Sequence, residues 1–175
     1  MNSIIDIQQL NNILESGDVM RFHACPRMNK QQLNSHMWSV AVICKYLKPD
    51  ITADELMLAL THDSTELITG DIPATLKWNH PEVKSMIDGI ETKLGILPDF
   101  KCSHDFKIIL KLADFLDGLI FCYNTYMQGN KEGLIIYTRW MNALTSFCEK
   151  HELNSALLTK VNAVIDQYYI EIYEA

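Results

Sequence analysis

A chain of 175 residues with 48% apolar side chains is long enough for one domain with its own core and too apolar for a disordered tail. A formal charge of −7, with arginine only at positions 21, 27 and 139, excludes a nucleic-acid duplex as partner, because phosphate tracking needs a dense Lys/Arg surface. A small anionic substrate needs only one or two placed cations and stays open. Five cysteines (25, 44, 102, 122, 148) without a CxxC pair point to reduced thiols in a cytoplasmic protein. With no charged-then-apolar opening and no apolar run of 18 residues, neither an export signal nor a membrane span is expected.

Almost every periodic segment has helical spacing. Ser3 is placed to cap a first helix through Leu14, which Gly17 ends. Residues 18–33 lack a clean period and contain Pro26, so they read as a long loop or irregular arm. A second helix over about 34–47 stops before Pro49. Thr52, Ala53, Asp54 and Glu55 form a capping box, so a third helix starts at 53; it is expected to run to about 68, with Gly70 ending it. Pro73 suits the first turn of a short helix carrying Leu76 and Trp78, and 81–94 reads as a helix closed by Gly95 and Pro98. The longest periodic run is 103–128, where Ile108, Leu112, Phe115, Leu119 and Cys122 step by three or four into a core stripe. Helices over about 132–150 and 155–173 follow, the last with Leu157, Val161, Val164, Tyr168 and Ile172 on one face. With no βαβ alternation, no hairpin dipeptide between strand patterns and no repeat, the chain reads as all-α, a single-domain helical bundle over 1–175.

The chemistry concentrates in LTHDSTELITGD, residues 60–71. On a continuous helix, His62 and Glu66 would share a face, and His62 and Asp63 would stand about 100° apart, able to converge on a cation lying between them. An imidazole and a carboxylate suit a borderline or hard divalent ion. A lone His-Asp pair is more often a satisfied core or boundary pair, so further ligands must come from elsewhere. His36, in NSHMWSVAVI, sits where polar residues give way to apolar ones. Asp114, in KIILKLADFLDGLI, falls between Leu112 and Leu116, where a carboxylate needs a salt bridge, a cap or a metal; Asp117, one turn on, is the alternative exposed acid.

These residues in this order resemble the HD-domain metal-dependent phosphohydrolases. The sixteen-residue block HDSTELITGDIPATLK (62–77), with RFH at 21–23, His36 fifteen residues after Arg21, and KLADFLDGL at 111–119, is similar to the 5′-deoxynucleotidase subgroup over about residues 10–125. The resemblance implies an HD-type fold in which His36, His62, Asp63 and Asp114 bind one divalent metal ion (Co, Mn, Zn or Mg). It makes Glu66 the catalytic carboxylate, has Arg21 hold the substrate phosphate, and sets Asp71 near the sugar 3′-hydroxyl. Phe22 stands where the subgroup often has tryptophan; it keeps an aromatic wall against the deoxyribose and loses the indole donor. The C-terminal helices, 130–175, complete the bundle or form an oligomer contact.

Other readings accompany several of these residues. Arg21 taken alone is a solvated loop arginine; Lys77 is either a phosphate contact or an exposed helix lysine; Asp71 also suits a cap for the Pro73 helix. Trp38, Trp78 and Trp140 are assigned to the core, with Trp78 or Ile72 alternatively touching a base. His23, His80, His104 and His151 are left at the surface. The leading function is hydrolysis of the 5′-phosphate of deoxynucleoside monophosphates. Its nearest rival releases triphosphate from a deoxynucleoside triphosphate such as dATP, which needs cations beyond Arg21; Arg27, Lys30, Lys77 and Lys84 are available. A non-catalytic helical protein that binds nucleotides or partners is the alternative from another class. The apolar faces of the last two helices (Leu134, Tyr137, Trp140 and Leu144 among them) either complete the core or make a dimer or larger homo-oligomer.

Overall fold

A computed structural model describes residues 5–95 and 97–170, the side chains at 78, 91 and 94 excepted. These residues fall into two compact units. One comprises the chain up to Pro26 with Lys30–Trp38 and Thr52–Cys102; the other comprises Arg27–Asn29, Ser39–Ile51 and the chain from Ser103 onward. Among the described residues the structure is helical apart from one antiparallel ladder, and no helix is long and apolar enough to cross a membrane.

The first unit opens with α1 (Ile7–Ser16). Its cap is Asp6, in a reciprocal box with Gln9: the Gln9 amide donates to Asp6 Oδ1 at 2.8 Å and the Asp6 amide to Gln9 Oε1 at 3.1 Å. The expected cap, Ser3, lies outside the described residues. The segment from 18 to 33, expected to be irregular, contains β1 (Met20–Arg21) and β2 (Gln31–Gln32), paired Met20 to Gln32 and Arg21 to Gln31. Two residues per strand offer no alternation to read, and a nine-residue loop hides the pairing from local signals.

From the ladder the chain enters α2 (Leu33–Leu47), whose first part belongs to this unit and whose second part belongs to the other. Its buried positions, Leu33, His36, Met37, Val40, Ala41, Cys44 and Leu47, follow the helical period and carry His36 on the inward stripe. Trp38 falls off that stripe and is 64% exposed, which corrects its assignment to the core.

The next element, α3 (Ala53–Thr61), starts with the expected Thr52/Glu55 box but stops at His62 instead of running to 68. Across this stretch the amides of Ser64, Glu66, Leu67 and Ile68 bond three residues back, to Thr61, Asp63, Ser64 and Thr65, in place of the four-residue helical step. Thr61 Oγ1 also donates to the Met57 carbonyl at 2.8 Å. Such a local bond competes with the helical ladder, whereas the Ser64 hydroxyl reaches away from its own segment to Met37 Sδ at 3.8 Å. The segment resumes as α4 (Glu66–Thr69), closed by Gly70 at φ 69°, a left-handed conformation that glycine adopts without a Cβ clash. Then come α5 (Ala74–Asn79), preceded by Pro73, and α6 (Pro81–Leu94), closed by Gly95.

The second unit is built on α7 (His104–Met127), α8 (Glu132–Lys150) and α9 (Ser155–Gln167). The α7 stripe is buried as expected at Leu112, Phe115, Leu119 and Cys122. Two glycines let α7 and α8 approach: a Cβ on Gly118 would lie 3.0–3.1 Å from the Trp140 indole, and one on Gly133 would lie 2.6 Å from the Cys122 carbonyl oxygen and the Tyr126 nitrogen. Trp140 meets the Phe115 ring edge-on at 5.6 Å. Tyr137, Trp140 and Leu144 are buried, so that face of α8 completes this unit's core. The last helix ends at Gln167, short of the expected 173, with Tyr168 as its cap; Ile172 lies outside the described residues.

Candidate active site

His36, His62 and Asp63 converge within the first unit. Asp63 Oδ2 lies 3.4 Å from His36 Nε2 and 3.3 Å from His62 Nε2, and the two rings are 5.3 Å apart, centroid to centroid. One ligand atom from each residue lies within 4.8 Å of the others. His36 is brought in by the buried stripe of α2, and the other two by the break after α3. The His62 ring is set by its far nitrogen: Nδ1 is 3.0 Å from the Ala59 carbonyl, a bond that requires the proton on Nδ1, so that in the neutral ring the Nε2 lone pair faces the cluster.

This donor set fits a divalent cation. Two imidazole nitrogens and a carboxylate oxygen are ligands of a borderline ion. Ligands held about 2.0–2.1 Å from such an ion are about 2.8–3.0 Å from their neighbours in an octahedral arrangement and about 3.3–3.4 Å in a tetrahedral one. Both separations from Asp63 match the latter. Burial would raise the Asp63 pKa, but the charges and hydrogen bonds of His62 and His36 outweigh it and hold the carboxyl well below its usual range.

Glu66 opens α4 and is buried at 7% exposure. Its carboxyl is pushed up to about 9, first by burial, then by the charges of Asp63 and Asp71, with Arg21 and Lys77 pulling the other way. Its Oε2 is buried and meets no hydrogen-bond partner. A carboxyl so placed lacks positive charge, which a cation held beside it would supply.

Arg21 is not a solvated loop residue: it is 7% exposed, and its Nη1 donates to Gln31 Oε1 at 3.1 Å across the ladder. Its guanidinium carbon lies 5.7 Å from the Phe22 ring centroid. Phe22 takes a left-handed backbone at φ 61°, and its amide donates to Asp71 Oδ2 at 2.7 Å. Asp71 therefore bonds the Arg21–Phe22 segment; α5 has no side-chain cap, which removes its reading as the cap of the Pro73 helix. Lys77, on α5, is half-buried and acts on Glu66 through its charge. His23, left at the surface by the sequence, is 52% exposed and has Nδ1 3.8 Å from Asp71 Oδ2. Ile72 is half-buried, and the Trp78 side chain lies outside the described residues.

Asp114 belongs to the second unit, on α7, where its Oδ2 accepts from Lys111 Nζ at 2.6 Å. Asp117, named as the exposed alternative, is instead the more buried of the two at 3%. Gln31 is the functional neighbour the sequence did not signal, because its role depends on the ladder register alone.

Comparison with known proteins agrees with this arrangement. A family model described as YfbR-like 5′-deoxynucleotidase matches residues 11–96, a stretch that holds Arg21, Phe22, His36, His62, Asp63, Glu66, Asp71 and Lys77. A 5′-deoxynucleotidase of Yersinia pseudotuberculosis is 30% identical over 105 residues, covering 50% of this chain and 53% of the relative. Another, from an Enterobacter species, is 21% identical over 154 residues, covering 73% and 77%. This chain thus spans about half the length of the Yersinia relatives it matches. Among solved structures, the HD phosphohydrolase DatZ of cyanophage S-2L, bound to dA and one catalytic Zn2+ ion, superimposes with a TM-score of 0.74 at 17% identity, covering 94% of this chain and 96% of that one. The fold matches that of an HD phosphohydrolase, and residues 11–96, just under half of the chain, are similar to the YfbR-like 5′-deoxynucleotidase family.

Proposed function

We propose that the protein is a metal-dependent phosphohydrolase that removes the 5′-phosphate from deoxynucleoside monophosphates. The observation that carries this reading is the meeting of two imidazole nitrogens on one Asp63 oxygen, in the same unit as a buried Glu66 and a buried Arg21. His36, His62 and Asp63 would hold the cation, with Asp114 as the fourth ligand that the sequence motif supplies. Two imidazoles favour zinc or cobalt over magnesium. When bound, the ion supplies Lewis acidity toward a phosphoryl oxygen and a lowered water pKa.

The rest of the work falls to the chain. Arg21, held flat by Gln31, presents a planar fork of donors to two phosphate oxygens. Glu66 moves the proton: its buried carboxyl is placed to take one from the attacking water and return it to the departing sugar oxygen. Phe22 forms the wall against the deoxyribose. Asp71 engages the Phe22 amide through Oδ2 and offers Oδ1 to the 3′-hydroxyl. Lys77 adds a second positive charge near Glu66.

Of the four cations counted toward a triphosphate, three are engaged elsewhere and only Lys77 acts on Glu66. Lys84 bonds Asp88 at 2.6 Å, Lys30 donates to two backbone carbonyls at 2.7 Å, and Arg27 lies 3.7 Å from Glu132 in the second unit. That supports a monophosphate over a triphosphate. The deoxynucleotidase names of the relatives and the dA bound by the structural neighbour support a deoxynucleoside. Dialysed protein given Zn, Co, Mn or Mg in turn should release orthophosphate from deoxynucleoside monophosphates. Tripolyphosphate from dATP, with no orthophosphate from the monophosphates, would overturn the assignment in favour of the triphosphohydrolase.

A further inference from the structure

The structure assigns Lys30 as a positioning residue that fixes the turn presenting Arg21 and Phe22, and not as a ligand for phosphate. This rests on the proposed deoxynucleotidase reading for its kinetic consequence, though not for its geometry.

Phe22 sits at φ 61°, a left-handed conformation in which a side chain other than glycine is strained. Such a conformation persists only when neighbouring groups hold it. Both peptide groups flanking the Phe22 α-carbon are gripped. On one side the Phe22 amide donates to Asp71 Oδ2 at 2.7 Å. On the other, the Phe22 carbonyl accepts from Lys30 Nζ at 2.7 Å and from the Cys25 amide at 3.0 Å. The same ammonium also donates to the Cys25 carbonyl at 2.7 Å, closing the turn over residues 22–25. An anion fixes one backbone torsion and a cation the other. Phe22 follows Arg21 directly, so this grip sets where the aromatic ring and the guanidinium stand.

Lys30 lies at the surface and stands immediately before β2, whose first residue, Gln31, holds Arg21. Lys30, just before β2, and Gln31, its first residue, thus hold the adjacent residues Phe22 and Arg21, the first by its backbone and the second by its side chain. The charge that the sequence offers to a triphosphate serves here as a clamp on carbonyl oxygens.

The test compares wild type with Lys30→Met and Lys30→Arg, in metal-loaded protein. If Lys30 acts through the turn, Lys30→Met raises both KM for a deoxynucleoside monophosphate and Ki for the matching deoxynucleoside by a similar factor. That factor is about five- to tenfold, the effect of losing charge-assisted hydrogen bonds, with metal content unchanged. Lys30→Arg, which keeps the charge and the donors, recovers most of it. A loss confined to the nucleotide makes Lys30 a phosphate ligand and overturns the assignment, as does no loss for either. Hydrogen exchange of the Phe22 and Cys25 amides decides the geometry independently of turnover. Both should exchange at least about tenfold faster in Lys30→Met, since opening the turn exposes them. Unchanged exchange refutes the clamp. A wild type inactive on every deoxynucleotide, but with this acceleration in the variant, refutes the function and leaves the clamp standing.

Discussion

Replacing Glu66 by glutamine should stabilise the metal-free protein and flatten its pH dependence. The carboxyl is raised from 4.5 to about 9 by burial and by Asp63 and Asp71. Between those values the unfolded chain has given up the proton that the folded chain keeps. The folded state then binds more protons than the unfolded one, so stability falls as pH rises through that window. At pH 7 the unfolded side chain is 2.5 pH units above its pKa of 4.5. At about 1.4 kcal/mol per unit, wild type is less stable by about 3 kcal/mol than a variant that cannot ionise. For a chain of this size that corresponds to about 6–12 °C in Tm. Urea unfolding of both proteins in chelator, at pH 5, 7 and 8.5, reads the difference directly. Glutamine keeps the volume and one oxygen, so packing is conserved. The Glu66→Gln curve should run nearly level where wild type descends, and the gap should narrow when zinc is added, because a cation beside Glu66 favours its charged form. Parallel pH profiles for the two proteins would refute the burial and charge argument for Glu66.

His36→Ala should lower zinc affinity by about a hundredfold or more, since one of three converging donors goes, and calorimetry with unchanged affinity would remove His36 from the cation site. Asp114→Ala should weaken metal binding as well, as the HD motif implies, and an unaltered isotherm would reduce Asp114 to the partner of Lys111. Arg21→Lys should raise KM for a deoxynucleoside monophosphate by about tenfold, because a single ammonium cannot make the paired donors of the guanidinium; an unchanged KM would place the phosphate elsewhere. Gly133→Ala should destabilise the protein by about 2–4 kcal/mol in urea unfolding, since its Cβ would sit 2.6 Å from two α7 backbone atoms, and a neutral result would mean that α8 shifts freely.

The helices were legible because their signals are local. The Thr52/Glu55 box starts α3 where expected, and the α7 stripe is buried from Leu112 to Cys122, with Ile108 half-buried. The candidate ligands were legible for a different reason: HDSTELITGDIPATLK is a chemical pattern that reads the same whatever the backbone does. What the sequence could not disclose are the features made by residues far apart in the chain. Phe22 adopts its left-handed turn because Asp71, 49 positions away, receives its amide, and Arg21 is buried because the ladder register brings Gln31 across from it. The early end of α3 lies between these cases. Its signal is local, three hydroxyl residues at 61, 64 and 65, but helix propensity ranks them only mildly against a helix, and the apolar run before them outweighs that ranking on paper. This break also matters most for the chemistry. On an unbroken helix His62 and Asp63 would point about 100° apart. Along the three-residue steps that begin at Thr61, Asp63 Oδ2 lies within 3.4 Å of both imidazoles. The break thus falls within the segment that carries two of the three clustered groups, and restoring helix propensity there, as in Ser64→Ala with Thr65→Ala, should weaken metal binding although neither side chain is a proposed ligand; unchanged affinity would show that the cluster does not depend on the break.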